Sequence, residues 1–291
     1  MPERTSVDWR EDRYSFLRWT VLPQKSWREY WDRIYVDPGL KERLVAYAQF
    51  VLRYRVRYSV VGLPVHGIVL LYGPPGTGKS SLARGLAQVV AETVADADGV
   101  IFAEVDPHAL PSQMLGESQR NTANLLEKSI PELAAKGLPV IAVLDEIDSL
   151  LTSREITSGG RDPVDVMRAT EAALRGLDYL AANHDNVLLI ATSNFEAALD
   201  EAVLDRLDLS VKVGLPDADA AARILADTLS ELPAVEIDSA QIADIADRTA
   251  GLSGRAIRKL VLEALVTRSA DPETPLTADD IGAVLTKGDS K

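Results

Sequence analysis

The run Gly73-Pro74-Pro75-Gly76-Thr77-Gly78-Lys79-Ser80, with Ser81 directly after it, follows the spacing G-x-x-x-x-G-K-[ST]. An apolar stretch, 67–72, enters it, and a helix-length segment, 79–94, leaves it. That strand–loop–helix order separates it from an ordinary glycine-rich turn. Glycine lets the backbone curl so that successive N–H groups point inward at an anion. The N-terminus of the following helix adds positive potential at the same place. Lys79 then supplies a point charge for the β- and γ-phosphates of a nucleotide such as ATP, and the Ser80 hydroxyl a ligand for Mg2+.

Phosphate binding alone does not imply hydrolysis. Val140-Ile141-Ala142-Val143-Leu144-Asp145-Glu146-Ile147-Asp148 reads as a buried strand ending in carboxylates. Such a placement is costly unless a cation or a hydrogen-bond network meets the charges. Asp145, at the strand end, suits magnesium held through water. Glu146 suits orienting and polarising an attacking water, which is positioning work and not covalent chemistry. An acidic helix cap after a strand is the plainer alternative.

Outward from these two motifs, short β-branched runs at 67–72, 100–105, 139–144, 186–191 and 209–213 alternate with helix-length segments at 79–94, 117–136 and 163–182. Runs of this kind suit the buried strands of a parallel sheet, and the alternation predicts a doubly wound α/β domain. Pro131 should kink or split the second helix. After Gly214-Leu215-Pro216 the strand signal stops. Helices are predicted at 218–232, 240–249, 254–269 and 278–286, with Asp217, Ser239, Ser253 and Thr277 as N-cap candidates. The predicted organisation is an N-terminal segment at 1–60, an α/β domain at 61–215 and a small all-helical lid at 216–291.

The chain's 291 residues are 46% apolar and 26% charged, a globular balance. No cysteine is present, which excludes disulfides, zinc–thiolate centres and thiol nucleophiles. Three scattered histidines, His66, His108 and His184, do not group as a metal site would. The net charge of −13 is uneven: residues 1–60 carry 12 Lys/Arg against 8 Asp/Glu, and the remainder 19 against 36. Neutralising nucleic-acid phosphates needs clustered Lys and Arg, so the acidic body argues against wrapping nucleic acid, though a basic channel along one surface stays open. All four Trp lie within the first 31 residues, which sets that segment apart. No apolar run approaches the ~18 residues that suggest a membrane span. The first residues carry no signal-peptide core, and a cytosolic location is expected.

The phosphate loop, the Leu144-Asp145-Glu146-Ile147-Asp148 segment and Ala191-Thr192-Ser193-Asn194 closing a later strand together resemble the AAA+ ATPases, mechanical enzymes that act as ring hexamers. By that resemblance Asn194 is the sensor-one residue that helps orient water. Arg206, in Asp205-Arg206-Leu207-Asp208, matches the arginine finger that reaches a neighbouring subunit's γ-phosphate. Relatives often have two such arginines, and only one is visible here. Arg255, in Gly251-Leu252-Ser253-Gly254-Arg255, matches the sensor-two arginine at the start of a lid helix.

The resemblance narrows through Leu22-Pro23-Gln24-Lys25-Ser26-Trp27, Tyr30-Trp31-Asp32-Arg33-Ile34-Tyr35-Val36-Asp37, Ser149–Arg154, Gly160–Arg168 and the Asp205–Asp208 pattern. Together these are similar to the pachytene-checkpoint branch, remodellers of HORMA-domain proteins, over roughly residues 20–270. The branch implies an adenine pocket walled by Ile34, Tyr35 and Val36. It also implies a central pore loop, here Met114-Leu115-Gly116, where relatives present an aromatic pair. A flexible thioether can still pack against varied side chains. Eukaryotic members carry a sizeable N-terminal domain, whereas about 60 residues precede the motor here. The short form resembles bacterial stand-alone remodellers of anti-phage (CBASS) operons. The expected partners are further copies of the chain and a HORMA-domain protein. The rival readings are an unfoldase with another substrate, for instance one feeding a protease, and an ATP-gated nucleic-acid or clamp-loading switch.

Overall fold

The computed structural model of the chain describes residues 16–55, 65–94, 98–106, 110, 116–149, 163–195, 199–268 and 274–288. The chain enters through strand β1 (Phe16–Leu22), a 3-10 turn at Lys25–Trp27, one helical turn α1 (Glu29–Asp32) and helix α2 (Pro38–Tyr54). The α/β body then runs β2 (Ile68–Tyr72), α3 (Lys79–Thr93), β3 (Val100–Val105), α4 (Glu117–Asn124), α5 (Ile130–Ala134), β4 (Val140–Leu144), α6 (Pro163–Asn183), β5 (Val187–Ser193), α7 (Glu201–Leu204) and β6 (Leu209–Lys212). The C-terminal part holds α8 (Ala218–Leu229), β7 (Val235–Glu236), α9 (Ser239–Arg248), α10 (Gly254–Thr267), β8 (Leu276–Thr277) and α11 (Ala278–Gly288). Among the described residues no helix is long and apolar enough to cross a membrane.

Six strands form one sheet in the order β1-β3-β4-β5-β2-β6. β3, β4, β5, β2 and β6 run parallel. β3 and β5 are buried throughout, and β2 and β4 as far as their last residue. Strands covered on both faces are apolar at most positions, which is why these four read as nearly unbroken runs, with Glu104 of β3 and Thr192 and Ser193 at the end of β5 as buried polar exceptions. The sixth strand corrects the expectation of a purely parallel sheet. β1, from the N-terminal segment, pairs antiparallel with β3 along one edge, with a register shift between Phe16 and Arg18. An edge strand is covered on only one side, so Phe16-Leu17-Arg18-Trp19 alternates loosely and carries little periodic signal.

Two apolar layers sandwich the sheet. On one face α2 and α3 bury Leu44, Val51, Leu82, Leu86 and Val90 against Phe102 and Ile190. On the other, α4 to α6 bury Leu125, Leu126, Ile130, Leu177 and Leu180 against Ile101 and Leu189. Full burial of each such side chain contributes about 1.5–3 kcal/mol. The N-terminal aromatics join these layers. Trp27 packs edge-on to Phe102, with ring centroids 4.8 Å apart. The backbone of Tyr30 and Trp31 lies so close to α3 that a Cβ on Gly85 would come within 2.7 Å of it. Gly85 is therefore what lets α1 seat against α3, just before Ile34.

The helix around Pro131 is continuous, and the expected break takes another form. Leu125–Ser129 is a π-helical turn between α4 and α5, and Pro131 falls at the start of α5. Proline has no N–H to donate and its ring crowds the carbonyl four residues back. A wider turn just before it accommodates both defects without ending the helix.

The lid buries its own core of Ile224, Leu225, Ile245, Ile257, Val261 and Ile281. It is not all-helical: β7 and β8 pair in parallel, Val235 with Leu276 and Glu236 with Thr277. Two-residue strands are too short for any periodic signature. Asp238, not Ser239, caps α9, in a reciprocal arrangement with Gln241.

In the register of the large sheet, Tyr72 stands opposite Ser193 and Leu144 opposite Ala191. The loops after β2, β4 and β5 therefore leave the same carboxyl edge side by side, where ligands bind in sheets of this kind.

Candidate functional site

The phosphate loop begins one residue beyond β2 and ends on α3. Gly73, Gly76 and Gly78 all have positive φ, at 146°, 80° and 96°. Gly78 is the N-cap of α3, and a Cβ there would lie 2.7 Å from the Ile34 methyl. Any side chain would meet both backbone strain and that clash. The loop encloses Lys79, which is only 7% exposed. Its Nζ donates to Gly73 O at 2.8 Å, Pro74 O at 3.0 Å and Asn194 Oδ1 at 3.0 Å. Burial pulls the Lys79 pKa below its ordinary value, against the opposing charges of Asp145, Asp148 and Glu146. A buried cation held by neutral oxygens within a loop of three positive-φ glycines suits an anion.

Across the sheet edge, Ser80 Oγ lies 2.8 Å from both carboxylate oxygens of Asp145. A hydroxyl and a carboxylate at one point form a hard-oxygen donor set of the kind magnesium takes together with phosphate oxygens. The residues therefore fit the expected ion. Glu146 follows at φ 54°, the one positive value among the described non-glycine residues. Backbone in that region costs on the order of 1 kcal/mol for a residue with a Cβ. The turn breaks the strand direction and leaves the Glu146 side chain exposed at the cleft floor.

The lid closes the other side. Arg255 N donates to Gly76 O at 3.1 Å, and Ser253 caps α10 beside the same loop. Arg33, next to Ile34, pairs with Asp227 and Glu231 of the lid, and Arg258 Nη2 donates to Arg33 O at 3.3 Å. The result is a cleft of about 380 Å³. It is lined by Ile34, Pro75, Gly76, Gly78, Lys79, Ser80, Ser81, Asp145, Glu146, Asn194 and Arg255, all expected, and by Arg84, Thr192 and Arg258, which were not.

Three of the expected binding residues, Gly73, Pro74 and Thr77, shape the loop from behind: the first two hold Lys79, and Thr77 Oγ1 donates to Pro74 O. Of the expected adenine wall only Ile34 lines the cleft. Tyr35 packs on the lid core and Val36 on the α/β core, flanking it. Met114 and Leu115 lie outside the described residues, and Gly116 is the N-cap of α4 at φ 75°. Arg258 was legible, because it stands three residues after Arg255 on the same helix face. So was Arg84, one turn after Ser80. It pairs with Glu104 of β3 and lies 5.6 Å over the Tyr30 ring.

Arg206 does not reach its own cleft. Its Nε and Nη2 donate to the two Asp178 oxygens at 2.7 and 2.8 Å, and Nη1 donates to Ala202 O at 2.7 Å. The hydrogen bond from Arg206 holds the Asp178 carboxyl below its ordinary range. Two residues on, Asp208 accepts from the backbone N–H groups of His66, Gly67 and Ile68 and from Tyr47 Oη. Burial, then the Asp208 charge, pushes the Tyr47 phenol far above its usual range.

A buried loop cation, a hydroxyl–carboxylate pair, a second carboxylate and a lid arginine around one cleft are the parts of a nucleotide hydrolysis site. Residues 69–215 match the ATPase family associated with various cellular activities (AAA), just over half of the chain. The chain belongs to the AAA ATPase family. Relatives of this AAA protein include CD-NTase-associated protein 6 of Pseudomonas aeruginosa, 45% identical over 263 residues that cover 88% of this chain and 84% of that one. The pachytene checkpoint protein 2 homolog of Danio rerio is 29% identical over 277 residues, covering 86% of this chain and 65% of that longer protein. In fold, the AAA chain matches one from the structure of the E. coli MS115-1 HORMA:CdnC:Trip13 complex. The TM-score is 0.78, with 19% identity over 94% of this chain and 95% of that one.

Proposed function

We propose that this AAA ATPase is a ring-forming remodeller that uses ATP to pull open HORMA-domain proteins and so regulates a bacterial anti-phage signalling complex. The observation that carries this is the 45% identity to CD-NTase-associated protein 6 across 84% of that protein. Likeness to the pachytene checkpoint relatives points to the same class of substrate. In this reading 1–60 is the N-terminal segment, 61–215 the motor and 216–291 the lid, working in the cytosol as a hexamer.

Each side chain then has a task. The loop amides and Lys79 hold the β- and γ-phosphates, and Ile34 abuts the base between loop and lid. Magnesium, taken up by Ser80 and through water by Asp145, would neutralise charge on the transferring phosphate. Glu146 orients the attacking water and accepts its proton as the bond to phosphorus forms, with Asn194 fixing the geometry beside Lys79. Arg255 follows the phosphates and moves the lid when they leave. Arg206 serves the cleft of the next subunit, which agrees with its distance from its own. The pore segment at Met114 and Leu115 grips the substrate chain.

The test is an assay of a purified HORMA-domain protein closed on its peptide. ATP and the wild-type chain should release the peptide, and the Glu146→Gln chain should not. Hydrolysis without release, together with stimulation by single- or double-stranded DNA in place of the HORMA protein, would sink the proposal in favour of a nucleic-acid switch.

A further inference from the structure

Thr192 is the penultimate residue of β5, 1% exposed, in a strand that lies between β4 and β2. A buried threonine on a central strand can have its hydroxyl satisfied by a nearby carbonyl, and valine would fill the same space. Here the hydroxyl is spent differently. It donates to Asp145 Oδ1 and accepts the backbone N–H of Glu146 at 3.0 Å. One side chain thus bridges the two consecutive carboxylate residues that follow the neighbouring strand. The register explains why: Leu144 faces Ala191, so the next residue pair brings Asp145 level with Thr192.

The two bonds do separate things. The donated bond engages one oxygen of Asp145 while Ser80 approaches the carboxylate from its own side. The plane of the carboxylate is thereby set, and a carboxylate free to rotate would not present a constant face to a cation. The accepted bond falls on the residue with φ 54°, the strained position. Relaxation of that residue toward ordinary extended backbone would continue the strand and swing the Glu146 carboxylate away from the cleft floor. Asn194, in the bend just past β5, accepts from Lys79 Nζ at 3.0 Å. The end of β5 therefore sets both halves of the site, the acidic pair through Thr192 and the phosphate-loop lysine through Asn194.

We propose that Thr192 is a positioning residue for hydrolysis: its hydroxyl holds Asp145 and Glu146 in their working orientations and contributes little to nucleotide affinity. The inference rests on the proposed roles of Asp145 and Glu146. It predicts a split between binding and turnover that a purely structural threonine would not produce. Loss of a hydrogen bond to a charged group at the reacting centre lowers kcat by about 10–100-fold.

The experiment compares Thr192→Val, Thr192→Ser and Glu146→Gln in the full chain, by steady-state ATP hydrolysis across a magnesium titration, fluorescent-nucleotide binding and thermal unfolding. Thr192→Val should lose about 10–100-fold in kcat. It should keep KM and nucleotide affinity within about threefold and need more magnesium for half-maximal rate, because Asp145 is no longer oriented. Thr192→Ser, which restores the hydroxyl without the methyl, should recover most of the rate. Wild-type kcat in Thr192→Val overturns the proposal. So does a loss of rate that Thr192→Ser fails to restore and that nucleotide affinity and thermal midpoint share. Turnover surviving in Glu146→Gln overturns the acidic-pair assignment itself, and the inference with it. A dead Glu146→Gln beside an unaffected Thr192→Val leaves the site reading intact and removes only this inference.

Discussion

At the scale of single residues, the proposed roles of Lys79 and Glu146 divide binding from chemistry. Lys79 is enclosed by three oxygens that phosphate oxygens would replace, so its charge is already desolvated and aimed. Lys79→Ala should weaken nucleotide binding by about 100-fold or more, the scale of losing a buried charge-assisted contact. Glu146 makes no such contact with the loop and stands at the cleft floor. Glu146→Gln should bind ATP within about threefold of wild type and turn it over at under about 1% of the rate, since the amide keeps the shape and loses the base. Nucleotide titration beside a phosphate-release assay checks both. Substantial turnover in Glu146→Gln would show that another group polarises the water.

At the scale of elements, the segment after α7 is tied down by Asp208. Its carboxylate gathers three backbone N–H groups at the start of β2 and the Tyr47 phenol of α2. The segment that carries Arg206 is thereby fixed to the strand that delivers the phosphate loop. Asp208→Ala leaves four donors without their acceptor in a half-buried place. It should cost about 3 kcal/mol in denaturant unfolding, at 1–3 kcal/mol for each orphaned group and with water recovering part. Tyr47→Phe removes one donor and keeps the acceptor in use, and should cost about 1 kcal/mol. If Asp208→Ala costs no more than Tyr47→Phe, the carboxylate is not the anchor. The two-pronged Asp178–Arg206 pair is half open to solvent on the Asp178 side, so it orients the guanidinium more than it stabilises the fold.

At the scale of the whole molecule, the proposed ring gives Arg206, which is held by Asp178 away from its own cleft, a task in a neighbouring subunit. If Arg206 completes a neighbour's site, Arg206→Ala and Lys79→Ala subunits should each be inactive alone. Mixed rings should recover part of the activity, because one donates the finger and the other the intact pocket. No recovery in rings shown to co-assemble would count against a shared site. The proposed pore loop makes a second prediction at this scale. Met114→Ala with Leu115→Ala removes apolar grip worth about 1.5–3 kcal/mol per fully buried side chain. It leaves untouched the cleft built from the phosphate loop, Asp145, Glu146 and Asn194. Basal ATP hydrolysis should persist and HORMA release should fail. Release at the wild-type rate would exclude threading through this loop.

Residue order along the chain was enough for the parts whose chemistry is local. The phosphate loop is one contiguous turn that needs glycine at set positions, and doubly buried strands are apolar at most residues. The loop, the acidic pair and four central strands are legible for those reasons, and with them the family. Legibility failed where the physics is long-range or one-sided. β1 is an edge strand, β7 and β8 pair over two residues each, and the π-turn before Pro131 answers a clash that no window of sequence displays. Arg206 could be read as a charge awaiting an anion, and only the fold sets Asp178 against it. In the sequence Thr192 reads only as part of the Ala191–Asn194 segment that closes a strand, with no role of its own. Its hydroxyl acquired a task when parallel pairing laid the end of β5 against the end of β4, a contact between chain segments nearly fifty residues apart.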